Sequence, residues 1–411
     1  MTGDTSRFSW AVVLLVLMVL MNAYGRDARR DPVTGRIRIL YMGDVLGGPS
    51  PYPVFMNDPL TTIQPVKASA FVHTPQVVRR HMRVYMPRTE GRLMRSYDLI
   101  LISDSNVQSF QPEYFTWFRN SVVESGLGMV MIGGLETFGA VPNYPGSWGE
   151  TPVSEVLPVI CLPEQWERGA GRLDVGESGN ALIMSLPFED LGPLGIFYGC
   201  NIVGERQGVS TIAHYSVLTS GEKHPLLIFW EVGAGASFAM TADWTPAGGV
   251  NFLRWGYYGD YALNVALYVT GGRIPDDPQV VYEARRLMED FRSQGETLNS
   301  VIEFVEKFGA YMRKAEMMLA EAQEVRRRGD ESYLEGEPVE AVSHLRESLA
   351  VMSEALGMAY DIKDQALMWV YITEWLVVSS TGMICGFVLW TVMVRRSFYR
   401  EAGQTRILTD L

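Results

Sequence analysis

The chain has 411 residues, 47% hydrophobic and 20% charged, with a formal net charge of −12. That length allows two or three domains, and so acidic a chain excludes nucleic-acid binding, which needs Lys and Arg clustered against phosphate. Three cysteines without a CxxC pair exclude zinc-ribbon and thioredoxin-type sites. The five histidines (His73, His81, His214, His224, His344) stand in neither HExxH nor HxH spacing, so neither a metal nor a cofactor is predicted.

Phe8–Gly25, FSWAVVLLVLMVLMNAYG, is uncharged and flanked by Arg7 and Arg26. It is short for a spanning helix, and its small terminal residues also suit a signal-peptide cleavage site. Residues 1–25 are therefore read as a signal peptide or an N-terminal transmembrane anchor.

Residues 26–272 read as one α/β domain. Arg36–Gly43 is strand-like and ends at Asp44 and a loop containing Gly47 and Gly48. Tyr97–Ser103, YDLILIS, is a continuous apolar run, the pattern of a central parallel strand covered on both faces; it ends at Asp104, Ser105 and Asn106. A helix follows at Pro112–Ser125, then a GLG break and a strand at Met129–Ile132. This β-α-β order predicts a right-handed crossover and a parallel sheet. The strand runs into Gly133 and Gly134, with Glu136 and Phe138 beyond them. Pro225–Asp243 reads as two strands around a GAG turn, and a helix near Tyr258–Val269 closes the domain. TGGRIPDDP is a linker by its Gly and Pro content.

From 273 to 368 the chain is helical. Leu298, Val301, Val305, Phe308, Met312, Ala315, Leu319 and Ala322 recur at 3-4 spacing, an apolar seam. Ala341, Leu345, Leu349, Met352, Leu356 and Ala359 form a second stripe after EGEP. The expectation is an antiparallel hairpin joined near Gly336, resembling one tetratricopeptide pair and serving as a stalk. A single such pair is too small for a stable repeat array. Its seam offers a surface for a protein partner or a second copy.

Residues 369–394 are read as a transmembrane helix, because Trp375–Val394 has no charge and Trp369, Trp375 and Trp390 stand near the interfaces. Arg395, Arg396 and Arg400 follow it, whereas Asp361, Asp364 and Glu374 precede it. The positive-inside rule then places the tail, 395–411, in the cytoplasm and the main domain outside.

Ligands of parallel α/β sheets bind beyond the carboxyl ends of the strands. The candidate crevice is Asp44, Gly47, Gly48, Asp104, Ser105, Asn106, Gly133, Gly134, Glu136 and Phe138, with Asp243 and Trp244 at its rim. Each of these also has a plain reading as a cap or turn residue. No phosphate loop and no GxSxG or GxCxG elbow occurs. Cys161 and Cys200 either pair as a disulfide or remain buried thiols.

The strings YDLILISD, GLGMVMIGGLETFG, GSWGETPVSEVLPV and HPLLIFWEVGAGASFAMTADWTP together resemble the class I glutamine-amidotransferase-like family, in particular its membrane-anchored members. The resemblance covers about residues 35–272 and implies a flavodoxin-like α/β sandwich with a mostly parallel sheet. Members with activity use Cys, His and Glu. The place of the cysteine falls here on Gly133 or Gly134, and the late His-containing stretch falls on Asp243 and Trp244. The resemblance therefore implies the fold without the thiolate and base that such chemistry needs. The resulting expectation is a non-catalytic, membrane-anchored module that binds a small molecule, a glycan or a protein at the crevice. The alternatives are a hydrolase using Asp44, Asp104, Glu136 or Asp243, and a purely architectural subunit of a membrane assembly.

Overall fold

The computed structural model describes residues 28–407, apart from 143, 145, 177–178, 276 and 310, with side chains to 399. The N-terminal apolar segment lies outside the described residues. The chain divides into two compact units, one running up to Arg285 and including Asp330–Val339, the other Arg286–Gly329 and Glu340 onward.

In chain order the first unit contains β1 (Ile37–Gly43), α1 (Pro51–Asn57), β2 (Thr61–Lys67), α2 (Pro75–Tyr85), α3 (Glu90–Ser96), β3 (Leu99–Ser103), α4 (Pro112–Ser125) and β4 (Gly128–Ile132). There follow β5 (Val159–Asp174), the one-turn α5 (Ala181–Met184), β6 (Ile196–Glu205), β7 (Ser210–Val217), β8 (Lys223–Val232), β9 (Gly235–Met240) and α6 (Tyr258–Val269). Apolar runs make β3 and β4, and every residue of both strands is buried, as two-sided coverage requires. Pro112 sets the first turn of α4, and Gly126 ends it in the left-handed conformation (φ 73°).

Among the described residues the strands form one nine-stranded sheet, ordered β2-β1-β3-β4-β9-β8-β7-β5-β6. The pairings from β2 to β9 are parallel, and those from β9 to β6 are antiparallel. The expected mostly parallel sheet is thus only half so. The reason is the stretch 159–217, three strands that pair antiparallel, with only the one-turn α5 and a short 3-10 segment between β5 and β6 and no crossover helix. The antiparallel half also curls back: Cys200 bridges Ala242, and the Asn201 amide donates to the Thr241 carbonyl at 2.9 Å. The free side of β6 is thereby brought against the chain just beyond β9. A large cluster including Leu40, Ile100, Met129, Phe118, Phe138 and Trp148 forms the core on one side of the parallel strands.

The helical part differs from the expected hairpin. Among the described residues it holds three helices: α7 (Pro278–Glu306), α8 (Arg313–Glu335) and α9 (Pro338–Ile407). The apolar seam of 298–322 is broken at Gly309, whose φ of 75° ends the helical path. Leu298, Val301, Val305, Met312, Ala315 and Ala322 nevertheless share one core with Met352, Ala355 and Ala359. Because the chain reverses, both limbs of the seam face the same third helix. Phe308, in the turn, is 43% exposed. The expected turn at Gly336 is present, with Pro338 opening α9. α9 carries an unburied 18-residue window of mean hydropathy 1.9, long and apolar enough to cross a membrane.

Candidate functional site

The parallel order reverses direction at β1, whose neighbours are β2 and β3. Beyond the carboxyl ends of β1, β3, β4 and β9 lie Asp44, Asp104, Glu136 and Asp243, each no more than 4% exposed. Four carboxyl groups in so dry a place need local partners.

Glu136 has the fullest set. Its Oε2 accepts from the Ser69 hydroxyl at 2.8 Å and from the backbone N–H groups of Ala70 and Phe71 at 2.8 and 3.2 Å. Its Oε1 is buried without a full hydrogen bond. Burial raises its pKa, and the bonds from the 69–71 loop pull the other way. Asp104 takes the left-handed conformation (φ 40°), uncommon for any residue but glycine. Its Oδ1 accepts the Glu136 N–H at 2.7 Å, clamping the β3 end to the β4 elbow. Asp243 folds onto its own chain, accepting from the Thr245 N–H at 2.7 Å and the Thr245 hydroxyl at 2.8 Å. Burial pushes its carboxyl up to about 6. Asp44 receives the Tyr41 hydroxyl at 3.2 Å. Burial holds the Asp44 and Asp104 carboxyls well above the usual range, and the charge of Asp243 adds to both.

Gly133 and Gly134 form the elbow after β4. A Cβ on Gly133 would fall 2.1 Å from the Thr241 carbonyl oxygen, and one on Gly134 would fall 2.3 Å from the Asp104 carboxyl. Both positions lack room for any side chain. The elbow is also pinned by Asn201 of β6. The Asn201 Oδ1 accepts the Gly134 N–H at 3.1 Å, and its Nδ2 donates to the carbonyls of Gly134 and Thr137 at 3.2 and 3.4 Å. Sequence reasoning missed Asn201. Its only signal is a polar side chain inside the apolar strand IFYGCNIV, which has to find partners once buried.

Asp44, Asp104, Ser105, Asn106, Gly133, Gly134, Glu136, Phe138, Asp243 and Trp244 are all buried at this end of the sheet. Asn106 caps the following turn through the Gln108 N–H at 2.8 Å. The Ser105 hydroxyl is buried without a partner. Gly47 and Gly48 do not join the cluster: they are exposed, with open space around both Cβ positions. Trp244 is not a rim residue. Its indole donates to the Ser103 hydroxyl at 3.0 Å and it is fully buried, as is Trp148, whose indole donates to the Ser105 carbonyl at 3.0 Å. Cys161 and Cys200 are free buried thiols rather than a disulfide. Burial pushes Cys161 up to about 12 and raises Cys200 further. Among the described residues no group of three or more His, Cys, Asp or Glu is placed to hold a metal ion.

No curated protein matches the sequence significantly. Among solved structures, the chain is similar to a cytoplasmic protein of Salmonella typhimurium LT2, at 19% identity over 57% of this chain and 99% of that one, with a TM-score of 0.45. A second cytoplasmic protein of Salmonella typhimurium matches at 19% identity over the same shares, with a TM-score of 0.46. The exo-β-1,4-mannosidase Op5Man5 of Opitutaceae bacterium strain TAV5 matches at 10% identity over 56% of this chain and 35% of that one, with a TM-score of 0.30. Residues 72–271 match the family described as "Putative glutamine amidotransferase". These residues, which include the β4 elbow and the four strand ends around it except that of β1, belong to the class I glutamine-amidotransferase-like family.

Proposed function

We propose that this protein is a membrane-anchored amidotransferase-like module that carries out no glutamine chemistry and serves as a protein-interaction subunit of a membrane assembly. Its α/β domain lies outside the cytoplasm and its tail inside. The flavodoxin-like reading of the domain is supported by the parallel run β2-β1-β3-β4-β9, which has the order typical of that fold.

One observation carries the reading. The family's nucleophile position falls on Gly133 or Gly134, and at both the backbone is packed too tightly to admit a Cβ. The two cysteines of the domain lie on β5 and β6, buried and held as neutral thiols. A thiol at such a pKa is not a nucleophile at neutral pH. The burial of the strand-end carboxyls, each no more than 4% exposed, favours a protein partner over a small ligand. The anchor rests on the exposed apolar run in α9, and the sidedness rests on Arg395, Arg396 and Arg400 following it.

The test is affinity labelling of the detergent-solubilised full chain with a chloroketone analogue of glutamine, read by intact mass, alongside mass spectrometry of the purified complex. No adduct and a stoichiometric protein partner are expected. A stoichiometric adduct on Cys161 or Cys200 sinks the non-catalytic reading; a bound small molecule without a protein partner sinks the interaction reading.

A carboxylate-based hydrolase has one observation in its favour: Asp44, Asp104 and Asp243 share a site and have raised pKa values. It also needs an opening that brings substrate to groups now at most 4% exposed. A hydrolysis that is lost in Asp243→Asn, with the fold intact, would support it.

A further inference from the structure

We propose that the outward face of α2 and α3 is a docking surface for an acidic segment of a protein partner, whose carboxylates pair with Arg79, Arg80, Arg83, Arg88, Arg92 and Arg95. This deepens, and rests on, the reading of the protein as an interaction subunit.

The first support is the concentration of charge. From Lys67 to Arg95 seven cations stand against one acid, Glu90, so the remainder of a chain of net charge −12 carries −18. All six arginines are exposed. Among the described residues none of them makes an ion pair or spends its guanidinium on a hydrogen bond. Glu90 is engaged instead by Asn120, whose Nδ2 donates to its Oε1 at 2.9 Å. From α4, Glu113 stands near Arg88, both acting on Tyr114. The positive field reaches His81, whose pKa is lowered first by burial and then by the charges of Lys67 and Arg80. Like charges held this close repel one another, a cost that an anionic partner removes.

The second support is placement. Met82 of α2, Met86 of the connection and Leu93 of α3 pack on one core cluster. Both helices therefore turn their apolar sides to the same core and their arginines away from it. Arg79 and Arg83 stand one turn apart, as do Arg92 and Arg95, about 5–6 Å along the axis. At the rise of an α-helix α2 is about 16 Å long and α3 about 10 Å. That is the footprint of a short segment, not of an extended surface.

The third support is the chemistry of the face. Val84 and Tyr85, 56% and 43% exposed, close α2 beside the arginines, and the His81 ring braces Tyr85 at 4.9 Å. Arg and Tyr are the residues enriched where proteins meet. The planar guanidinium fork matches a carboxylate in two hydrogen bonds. A bilayer is disfavoured as the occupant, because the apolar side of α2 is spent on the domain: Val78 is buried and Met82 packs on the core. An interfacial helix needs that side free. An extended anionic surface would also meet the negative charge of the rest of the chain, which an acidic segment confined to the patch avoids.

The test uses the full chain in nanodiscs of phosphatidylcholine, with fluorescein-labelled octaglutamate as the probe, read by anisotropy, and the native complex purified from membranes. Arg79→Glu/Arg83→Glu is compared with Arg168→Glu/Arg172→Glu, exposed arginines of β5 whose reversal changes the net charge equally. Saturable binding is expected, weakened about tenfold or more by the first pair at unchanged melting temperature and unaffected by the second. Phosphatidylglycerol vesicles should not displace the peptide, and only the first pair should release the protein partner. No saturable binding, or an equal loss in both pairs, refutes the acidic segment. Displacement of the peptide by the vesicles gives the face to a bilayer and also refutes it. A partner that stays bound to Arg79→Glu/Arg83→Glu refutes this face and leaves the interaction reading standing; absence of a partner from the wild type refutes both.

Discussion

The Asn201 carboxamide binds both the N–H and the carbonyl of Gly134, at 3.1 and 3.2 Å. It joins β6, in the antiparallel half of the sheet, to the elbow after β4, in the parallel half. Asn201→Ala leaves the elbow's groups unpaired and buried, so a loss of about 2–4 kcal/mol is expected. Chemical denaturation of the full chain in detergent measures it. Asn201→Asp keeps the acceptor but loses the donor and adds a charge, and should not rescue.

Restoring the family's nucleophile should fail. Gly133→Cys and Gly134→Cys each force a Cβ into backbone or carboxyl atoms at 2.1 and 2.3 Å. Both variants should be destabilised by about 3 kcal/mol or more and release no ammonia from glutamine. A well-folded Gly134→Cys protein with a reactive thiol would show that the elbow has slack.

The Asp243 carboxyl makes the α/β domain more stable in mild acid. Its folded pKa is raised from 3.8 to about 6. The stabilisation is thus fully present below 3.8 and is lost as the pH rises through about 6. Its size is about 3 kcal/mol. Asp44 and Asp104 shift in the same direction and extend the loss upward. Thermal melting between pH 4 and pH 7 should show the midpoint falling with pH, and Asp243→Asn should flatten that slope between pH 4 and pH 6. An Asp243→Asn slope between pH 4 and pH 6 no different from that of the wild type would contradict the assignment, a comparison that cancels the opposing contribution of His73, which burial lowers to about 4.

Arg285 anchors a second buried cluster within the first unit. Its Nε lies 3.2 Å from Asp58 Oδ2 and donates to the Tyr333 hydroxyl at 2.8 Å, and its Nη1 pairs with Asp260. The Tyr333 hydroxyl in turn donates to Asp58 at 3.3 Å. Burial raises both aspartates and Arg285 opposes that shift. Arg285→Ala strands two buried carboxyls and should cost about 3–5 kcal/mol. Arg285→Lys should recover little, since an ammonium cannot reach three partners from one planar fork. Tyr333→Phe should cost about 1 kcal/mol. Melting of the three variants in one buffer gives the order directly.

Local pattern made some of this legible. β3 and β4 stand out as apolar runs because both of their faces are covered, and α4 begins at Pro112 and ends at Gly126, where the sequence places its bounds. Asp104 and Glu136 followed from those runs, and Asp44 from the strand-like Arg36–Gly43. β5 was not legible: its burial alternates irregularly, and its pairing with β6 slips between Cys161 and Trp166 and again between Glu167 and Ala170. Strands held by partners distant in sequence leave no short period to read. The same non-locality hid Asn201, whose role exists only once β6 curls against the chain beyond β9. The seam misled at Phe308, because 3-4 spacing continues across a reversal when both limbs face one helix. Trp244 read as a rim residue because sequence shows its size but not the Ser103 hydroxyl that seats it.

The elbow is the centre of the account, and steady-state ammonia release from glutamine by the detergent-solubilised full chain tests it most directly. With Gly133 and Gly134 where a nucleophile would stand, the expected rate equals that of the buffer at any glutamine concentration. Saturable release that disappears in a Cys161→Ser/Cys200→Ser variant of unchanged melting temperature would contradict it.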